Sequence, residues 1–295
     1  MEKVLDINNL SKNYGRINAV KNLSLEVGPG DVFGILGPNG SGKTTTLSVI
    51  TGVISPDEGS FNWFGQEPYS GMRKSIGSLI EVPNFYPYLN LVRNLSIVAR
   101  IKNNPLDDIE RVLKLVNLWD RRKSRFDTLS LGMKQRLAIS AVLLGDPSVL
   151  VLDEPANGLD PEGIAEVREI ILQERQKQKT IILASHILDE VEKVCTHVAV
   201  LKNGQSIAQG RVHELLSADD PVIVSCEEAG RLQEEIIRAG LSKSIVKEGM
   251  ELHIVLKEGM DARDINEFAF SKGIVLSHIE TRKKSLESQF LELIK

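Results

Sequence analysis

Two short runs in this 295-residue chain carry the residue types that phosphate chemistry uses. The first, "GPNGSGKTTT" (37–46), satisfies GxxxxGK[ST]. In that pattern the glycines let backbone N–H groups converge on phosphate oxygens, and the N-terminus of the following helix adds its positive dipole end. Gly37, Pro38, Asn39, Gly40, Ser41, Gly42, Lys43, Thr44 and Thr45 then form a phosphate cradle, with Lys43 neutralising the β- and γ-phosphates and the Thr44 hydroxyl ligating Mg²⁺. The second run, "SVLVLDEP" (148–155), is an apolar strand ending in two carboxylates. Asp153 suits coordination of Mg²⁺, and Glu154 suits orienting and deprotonating an attacking water. Each run has a plainer reading, as a glycine-rich turn and as a helix-capping acidic pair. The two together favour hydrolysis of a nucleoside triphosphate.

Such residues need strands to deliver them. "NLSLEV" (22–27) and "DVFGIL" (31–36) read as strands, and the phosphate run leads into a helix around 43–53. A strand around 59–64 follows the turn "SPDEGS". From about 81 to 146 the pattern becomes helical, with apolar residues at three- and four-residue spacings in "NLVRNLSIVARI" and "DDIERVLKLVNLW". Strands return at "SVLVL", "TIILAS" and "HVAVLKNGQSIAQG", the last a hairpin turning at Asn203 and Gly204. Strands alternating with helices predict an α/β fold with a largely parallel sheet. After Pro221 a second cycle begins: strand "VIVSC", helix 227–239, strands "KSIVK" and "ELHIVL", helix 261–271, strand "IVLSHI" and a closing helix "SLESQFLELI". This β-α-β-β-α-β order predicts a small α+β, ferredoxin-like module over 218–295 behind a nucleotide-binding domain over 1–217.

Composition narrows the function classes. A net charge of −4 gives no electrostatic footprint for nucleic acid or an anionic membrane, so no nucleic-acid partner is expected. Cys195 and Cys226 belong to no CxxC pair and read as thiols in a reducing compartment. No apolar run is long enough to cross a bilayer, and "MEKVLDINNL" lacks the core of a signal peptide. A cytoplasmic protein is expected, reaching a membrane only through a partner.

The run "TLSLGMKQR" (128–136), well before the acidic pair, chooses among the P-loop nucleotidases. It resembles the signature, usually written LSGGQ, of ATP-binding cassette (ABC) ATPases: Leu129, Ser130 and Gly132 match, while Leu131 replaces the first glycine and Met133 the glutamine. On physical grounds Ser130 is also a helix N-cap whose helix start faces anions. The remaining family positions are present. "ANGLD" (156–160) resembles the D-loop, with Asp160 in the matching place. His186 after "TIILAS" resembles the switch histidine at the γ-phosphate, and Tyr14 the aromatic that stacks on adenine. Taken alone, His186 reads as a structural strand-end residue and Tyr14 as an edge-strand aromatic. One position departs: where the family carries a glutamine that senses Mg²⁺ and links to the membrane partner, this chain has Glu81. A glutamate can coordinate Mg²⁺ but adds negative charge and donates no hydrogen bond unless protonated. The stretch "LIEVPNFYPYL" resembles the corresponding loop in bacitracin-type exporter ATPases.

The resemblance covers about residues 3–216. It implies an ABC-type β-subdomain with a helical insertion, and ATP and Mg²⁺ bound between two copies closed head to tail. Glu154, His186 and Lys43 then act on an ATP whose far side meets Ser130 and Gly132 of the other copy. It further implies a separately encoded membrane permease, export as the direction, and a place on the cytoplasmic face of the membrane. The competing reading is a soluble ABC ATPase acting on ribosomes or nucleic acid. Such proteins usually carry two cassettes or long insertions, and this chain has neither. No NKxD-like guanine-selecting run follows the acidic strand. The tail module carries no catalytic set; His253 and His278 lack metal-ligand spacing.

Overall fold

A computed structural model describes residues 3–69, 71–72, 75–81, 84–217 and 221–282. Its contacts divide the chain into two units, Met1–Val212 and His213–Lys295, where the sequence placed a boundary at 217/218.

Among its described residues the first unit holds nine strands: β1 (Leu5–Tyr14), β2 (Ile17–Val27), β3 (Val32–Leu36), β4 (Glu58–Trp63), β5 (Ile76–Leu79), β6 (Val149–Asp153), β7 (Thr180–Ser185), β8 (His197–Lys202) and β9 (Gln205–Arg211). Six of them form a sheet in the order β5-β6-β7-β3-β8-β9, parallel except for the β8–β9 hairpin. That hairpin turns at Asn203 and Gly204, both at positive φ, as its two-residue loop requires. Every residue of β3, β6 and β7 is buried, the mark of parallel strands covered on both faces. The other three strands pair antiparallel in the order β2-β1-β4. Here β2 alternates buried and exposed positions, since only one face meets the core. Trp63 at the end of β4 is buried and donates its Nε1–H to the Ile50 carbonyl at 2.8 Å, tying this sheet to the end of helix α1 (Lys43–Ile50).

Between β5 and β6 lie helices α2 (Leu91–Lys102), α3 (Asp108–Leu115) and α4 (Leu131–Leu143). The helical insertion expected from about 81 therefore has its first helix only at Leu91. Asn90 caps α2 through the Arg93 N–H at 2.9 Å. Helix α5 (Pro161–Gln176) links β6 to β7, α6 (Leu188–Val194) links β7 to β8, and α7 (Val212–Ser217) follows β9.

The second unit runs β10 (Val222–Ser225), α8 (Ala229–Ala239), β11 (Ser242–Glu248), β12 (Glu251–Leu256), α9 (Ala262–Ser271) and β13 (His278–Thr281). The sheet order β11-β12-β10-β13, antiparallel throughout, is that of a split β-α-β module. Leu232 and Ile236 of α8 and Ile265 and Ala269 of α9 pack with Val222, Val224, Leu252 and Ile254 into a separate core. The strand expected from "IVLSHI" starts later, at His278. Ile274 instead closes α9 through the Ala269 carbonyl, and Ser277 anchors to the Ser225 carbonyl. The expected closing helix "SLESQFLELI" lies outside the described residues.

Candidate functional site

Four neighbouring strands end at one edge of the parallel sheet. Register pairs Leu79 with Leu152, Asp153 with Ala184 and Leu36 with Ser185, so the segments leaving β5, β6, β7 and β3 start level with one another. They carry Glu81, Asp153 with Glu154, His186 and the phosphate loop. Ligands of open α/β sheets bind at this carboxyl edge.

The loop between β3 and α1 needs its glycines at defined places. Gly42 has φ +105, and a Cβ there would sit 2.3 Å from the Ala19 carbonyl oxygen; a Cβ on Gly37 would sit 2.3 Å from Ser41 Oγ. Pro38, Asn39 and Gly40 are exposed along its rim, while Ser41 and Lys43 are buried. Lys43 Nζ donates to the carbonyls of Gly37 at 2.8 Å and Pro38 at 3.3 Å and lies 3.4 Å from Glu154 Oε1. On its other oxygen Glu154 accepts the His186 N–H at 3.3 Å and meets His186 Nδ1 at 2.8 Å. Glu154 thus bridges the loop lysine and the strand-end histidine, held at φ +46 with its own N–H on the Ala184 carbonyl.

Asp153 is buried beside this pair. Burial pushes its carboxyl above the usual range, a hydrogen bond from Thr44 and the nearby Lys43 charge pull it down, and the charges of Glu154 and Glu81 push it up. Among the described residues its Oδ1 and Ser41 Oγ are buried without a hydrogen-bond partner. A buried polar atom left unpaired costs about 1–3 kcal/mol, so both atoms await a partner from outside the chain. A divalent cation on Asp153 and Thr44, with a phosphate oxygen at Ser41, would satisfy them, and the oxygen donors suit Mg²⁺. Glu81 follows β5 at φ +60, exposed, close enough for its charge to act on Asp153.

The other sequence-selected residues lie apart. Among the described residues no hydrogen bond or ion pair joins Tyr14, Ser130, Gly132 or Asp160 to the loop or the acidic pair. Tyr14 ends β1, about half exposed, opposite Ile17. Ser130 caps α4, accepting the Met133 N–H at 3.3 Å, and Asp160 caps α5, accepting the Gly163 N–H at 2.9 Å. These two helix starts adjoin: a Cβ on Gly158 would sit 3.6 Å from Leu131 Cδ2. Gly132 has room on every side, with no atom within 4 Å of where its Cβ would be.

The sequence reading passed over Asn94. Its position between Leu91 and Leu95 on the apolar stripe of α2 was the available signal, because a buried asparagine must find partners.

The sequence profile of the ABC transporter family matches residues 20–157. An uncharacterised ABC transporter ATP-binding protein of Bacillus subtilis (strain 168) is 35% identical over 299 residues, spanning 99% of this chain and 96% of the relative. The bacitracin transport ATP-binding protein BcrA of Enterococcus faecalis is 31% identical over 301 residues, spanning 100% of this chain and 97% of its own. Among solved structures, an ATP-binding cassette of an ABC transporter in its ADP conformation superposes with a TM-score of 0.66 at 27% identity, covering 74% of this chain and 96% of the other.

Proposed function

We propose, from the premise that this chain belongs to the ABC transporter family of ATP-binding proteins, that two copies of it close head to tail around MgATP and power a separately encoded permease that exports a peptide or drug. The protein is an ATP-hydrolysing transporter subunit.

The convergence at the sheet edge carries the reading. Lys43 is placed to leave the Gly37 and Pro38 carbonyls for phosphate oxygens, the loop N–H groups to cradle them, and Thr44 and Asp153 to hold Mg²⁺. A bound Mg²⁺ would neutralise phosphate charge. Glu154 then accepts the proton of the attacking water, and His186, already on the same carboxylate, orients it and reaches the γ-phosphate. The charges that act on Asp153 among the described residues are the carboxylates of Glu154 and Glu81 and the ammonium of Lys43, so acidic groups outnumber the cation there. That balance repels a bare triphosphate and favours one that arrives with its cation.

Gly132 supports the head-to-tail dimer. Glycine inside a helix costs roughly 0.5–1 kcal/mol relative to alanine. Gly132 lies in α4, is not among the positive-φ glycines, and would meet nothing with a Cβ. Its own chain therefore does not ask for glycine there, whereas a close approach from outside does. Ser130 and Gly132 are offered to the ATP of a second copy, with Asp160 in the adjoining loop and Tyr14 as the adenine platform of the first.

For the permease, a groove of about 760 Å³ lies between the β5 segment and the C-terminal ends of α1, α2 and α4, with Val53, Tyr69 and Ile101 exposed along it. Among the described residues no helix is long and apolar enough to cross a membrane. We assign the groove to a cytoplasmic helix of the permease, which places the protein on the cytoplasmic face of the membrane. The second unit is read as supporting or regulating the dimer.

Glu154→Gln in the full chain tests the mechanism. Steady-state hydrolysis should nearly vanish while an ATP-dependent dimer accumulates on size-exclusion chromatography; normal turnover removes Glu154 as the base. The cargo is tested separately, by whether cells lacking this protein become more sensitive to bacitracin. Unchanged sensitivity removes that cargo and leaves the ATPase reading intact.

A further inference from the structure

Asn94 is buried in the first turn of α2, and its side chain serves a loop rather than its own helix. Oδ1 accepts the Tyr86 N–H at 2.8 Å, and the Nδ2 group lies 3.1 Å from the Tyr86 carbonyl, 3.2 Å from that of Asn90 and 3.3 Å from that of Leu89. One amide thus fixes both ends of the loop 86–90, which presents Tyr86 and Tyr88 outward as an edge-on aromatic pair at 6.0 Å.

The same loop is bonded to the approach of the signature helix. Phe126 N–H donates to the Leu89 carbonyl at 3.0 Å and Asp127 N–H to the Pro87 carbonyl at 3.1 Å, and the Phe85 and Phe126 rings meet in a tilted contact at 5.3 Å. Leu129 N–H then closes on the Phe126 carbonyl at 3.2 Å, immediately before Ser130 caps α4. The Leu89 carbonyl is shared: it takes Asn94 Nδ2 from one side and Phe126 N–H from the other. From exposed tyrosines to Ser130 the path is a run of backbone hydrogen bonds of 3.0–3.2 Å pinned by one buried amide. Removing that amide takes the acceptor from the Tyr86 N–H and the Nδ2 donor from the Tyr86 carbonyl, while the Leu89 and Asn90 carbonyls keep the Phe126 and Asn94 backbone N–H groups, so the loop loses its tie to α2 at Tyr86.

We infer that Asn94 is a positioning residue for hydrolysis: it holds the 86–90 loop and the Phe126–Leu129 turn as one body, so that Ser130 is presented to the second copy's nucleotide in a fixed orientation. A displacement imposed at Tyr86 and Tyr88 then arrives at Ser130 instead of being absorbed in a loose loop. The inference rests on the reading of Ser130 as a ligand of the partner copy's ATP.

The test is a double-mutant cycle in the full chain with Asn94→Leu and Ser130→Ala, and Asn94→Asp as the variant that keeps the Tyr86 acceptor. Measured quantities are MgATP affinity of the Glu154→Gln monomer at dilution, steady-state kcat and KM, and the melting temperature. Asn94→Leu is expected to lower kcat on the order of tenfold, with monomer affinity within about twofold of wild type, since the loop sits outside the phosphate cradle. On the Ser130→Ala background the same change should cost less than about twofold, because the residue it positions is already gone. Asn94→Asp should fall between. Full additivity of the two losses, or a kcat unchanged by Asn94→Leu in a chain where Ser130→Ala is damaging, overturns the inference. If Ser130→Ala itself leaves hydrolysis intact, the signature reading fails first, and the inference with it. Should Asn94→Leu melt far below wild type, the cycle is read with Asn94→Asp, where additivity again refutes it.

Discussion

Gly132→Ala separates what the isolated chain needs from what its partner needs. The residue is the second of α4, lacks positive φ and has open space around its Cβ position. Within the monomer the methyl group gains helix propensity at the low end of the usual range, about 0.5 kcal/mol for a first-turn site. For a domain of roughly 200 residues that corresponds to a melting temperature higher by about 1–2 °C. In the proposed head-to-tail dimer the same methyl group stands where a second copy's nucleotide approaches the helix start. Overpacking a close contact costs about 1–3 kcal/mol, so closure of the dimer should weaken by about 5–150-fold. Stability and activity should therefore move in opposite directions. Differential scanning calorimetry of the apo chain and steady-state ATPase rates at saturating MgATP measure the two. A variant that melts higher and hydrolyses normally would refute the argument, because Gly132 would then have no outside surface to serve. Gly42→Ala is the internal contrast: at φ +105 and 2.3 Å from the Ala19 carbonyl, it should lower both quantities.

Three further changes probe other parts of the chain. Ser130→Arg should leave ATP binding to the monomer intact, measured by equilibrium titration, and abolish hydrolysis; retained turnover contradicts the shared site. Glu174 is fully buried, held by Lys179 at 2.7 Å and Lys177 at 2.5 Å, so Lys179→Met, which leaves one carboxylate oxygen without its cation, should cost about 1–3 kcal/mol in denaturant unfolding. A loss below 1 kcal/mol would mean that Lys177 alone suffices. Lys102 is half-buried, and the partial loss of solvent pulls its pKa below the ordinary lysine value of 10.5, while its Nζ reaches the Ala141 carbonyl at 2.9 Å. Below the folded-state pKa both folded and unfolded chains are protonated and the burial cost is fully present. Between that pKa and 10.5 the unfolded chain binds more protons, so stability rises with pH. Urea unfolding should thus show wild type gaining on Lys102→Met between pH 7 and about 10; a constant gap rules this out.

The parallel strands were legible because burial on both faces writes an unbroken apolar run, as in "VLVLD" and "TIILAS". β5 left no such mark: "IGSL" is four residues with a glycine, and it is a strand because β6 offers it an edge. β1 was hidden for another reason. Asn9 at φ +48 and three register shifts against β2 break the alternation that a periodicity argument needs. The ferredoxin-like order of the second unit was readable element by element, whereas the late start of β13 depends on Ile274 closing α9, a tertiary event.

For the site, residue types announced the chemistry, but sequence spacing could not say which groups meet. Lys43, Glu154 and His186 come together only because β3, β7 and β6 are adjacent in the sheet, an order no local pattern contains. The same topology sorts the selected residues into two sets. The loop, Asp153, Glu154, His186 and Glu81 share the carboxyl edge. Ser130, Gly132 and Asp160 sit at two adjoining helix starts, linked by Leu131 against Gly158, with no hydrogen bond to the first set among the described residues. Each set is locally well held, so neither is a loosely folded version of the other's missing half. In the proposed dimer the helix start with its spare glycine faces the far side of a nucleotide held in the other copy's cradle. A site that uses both requires two chains.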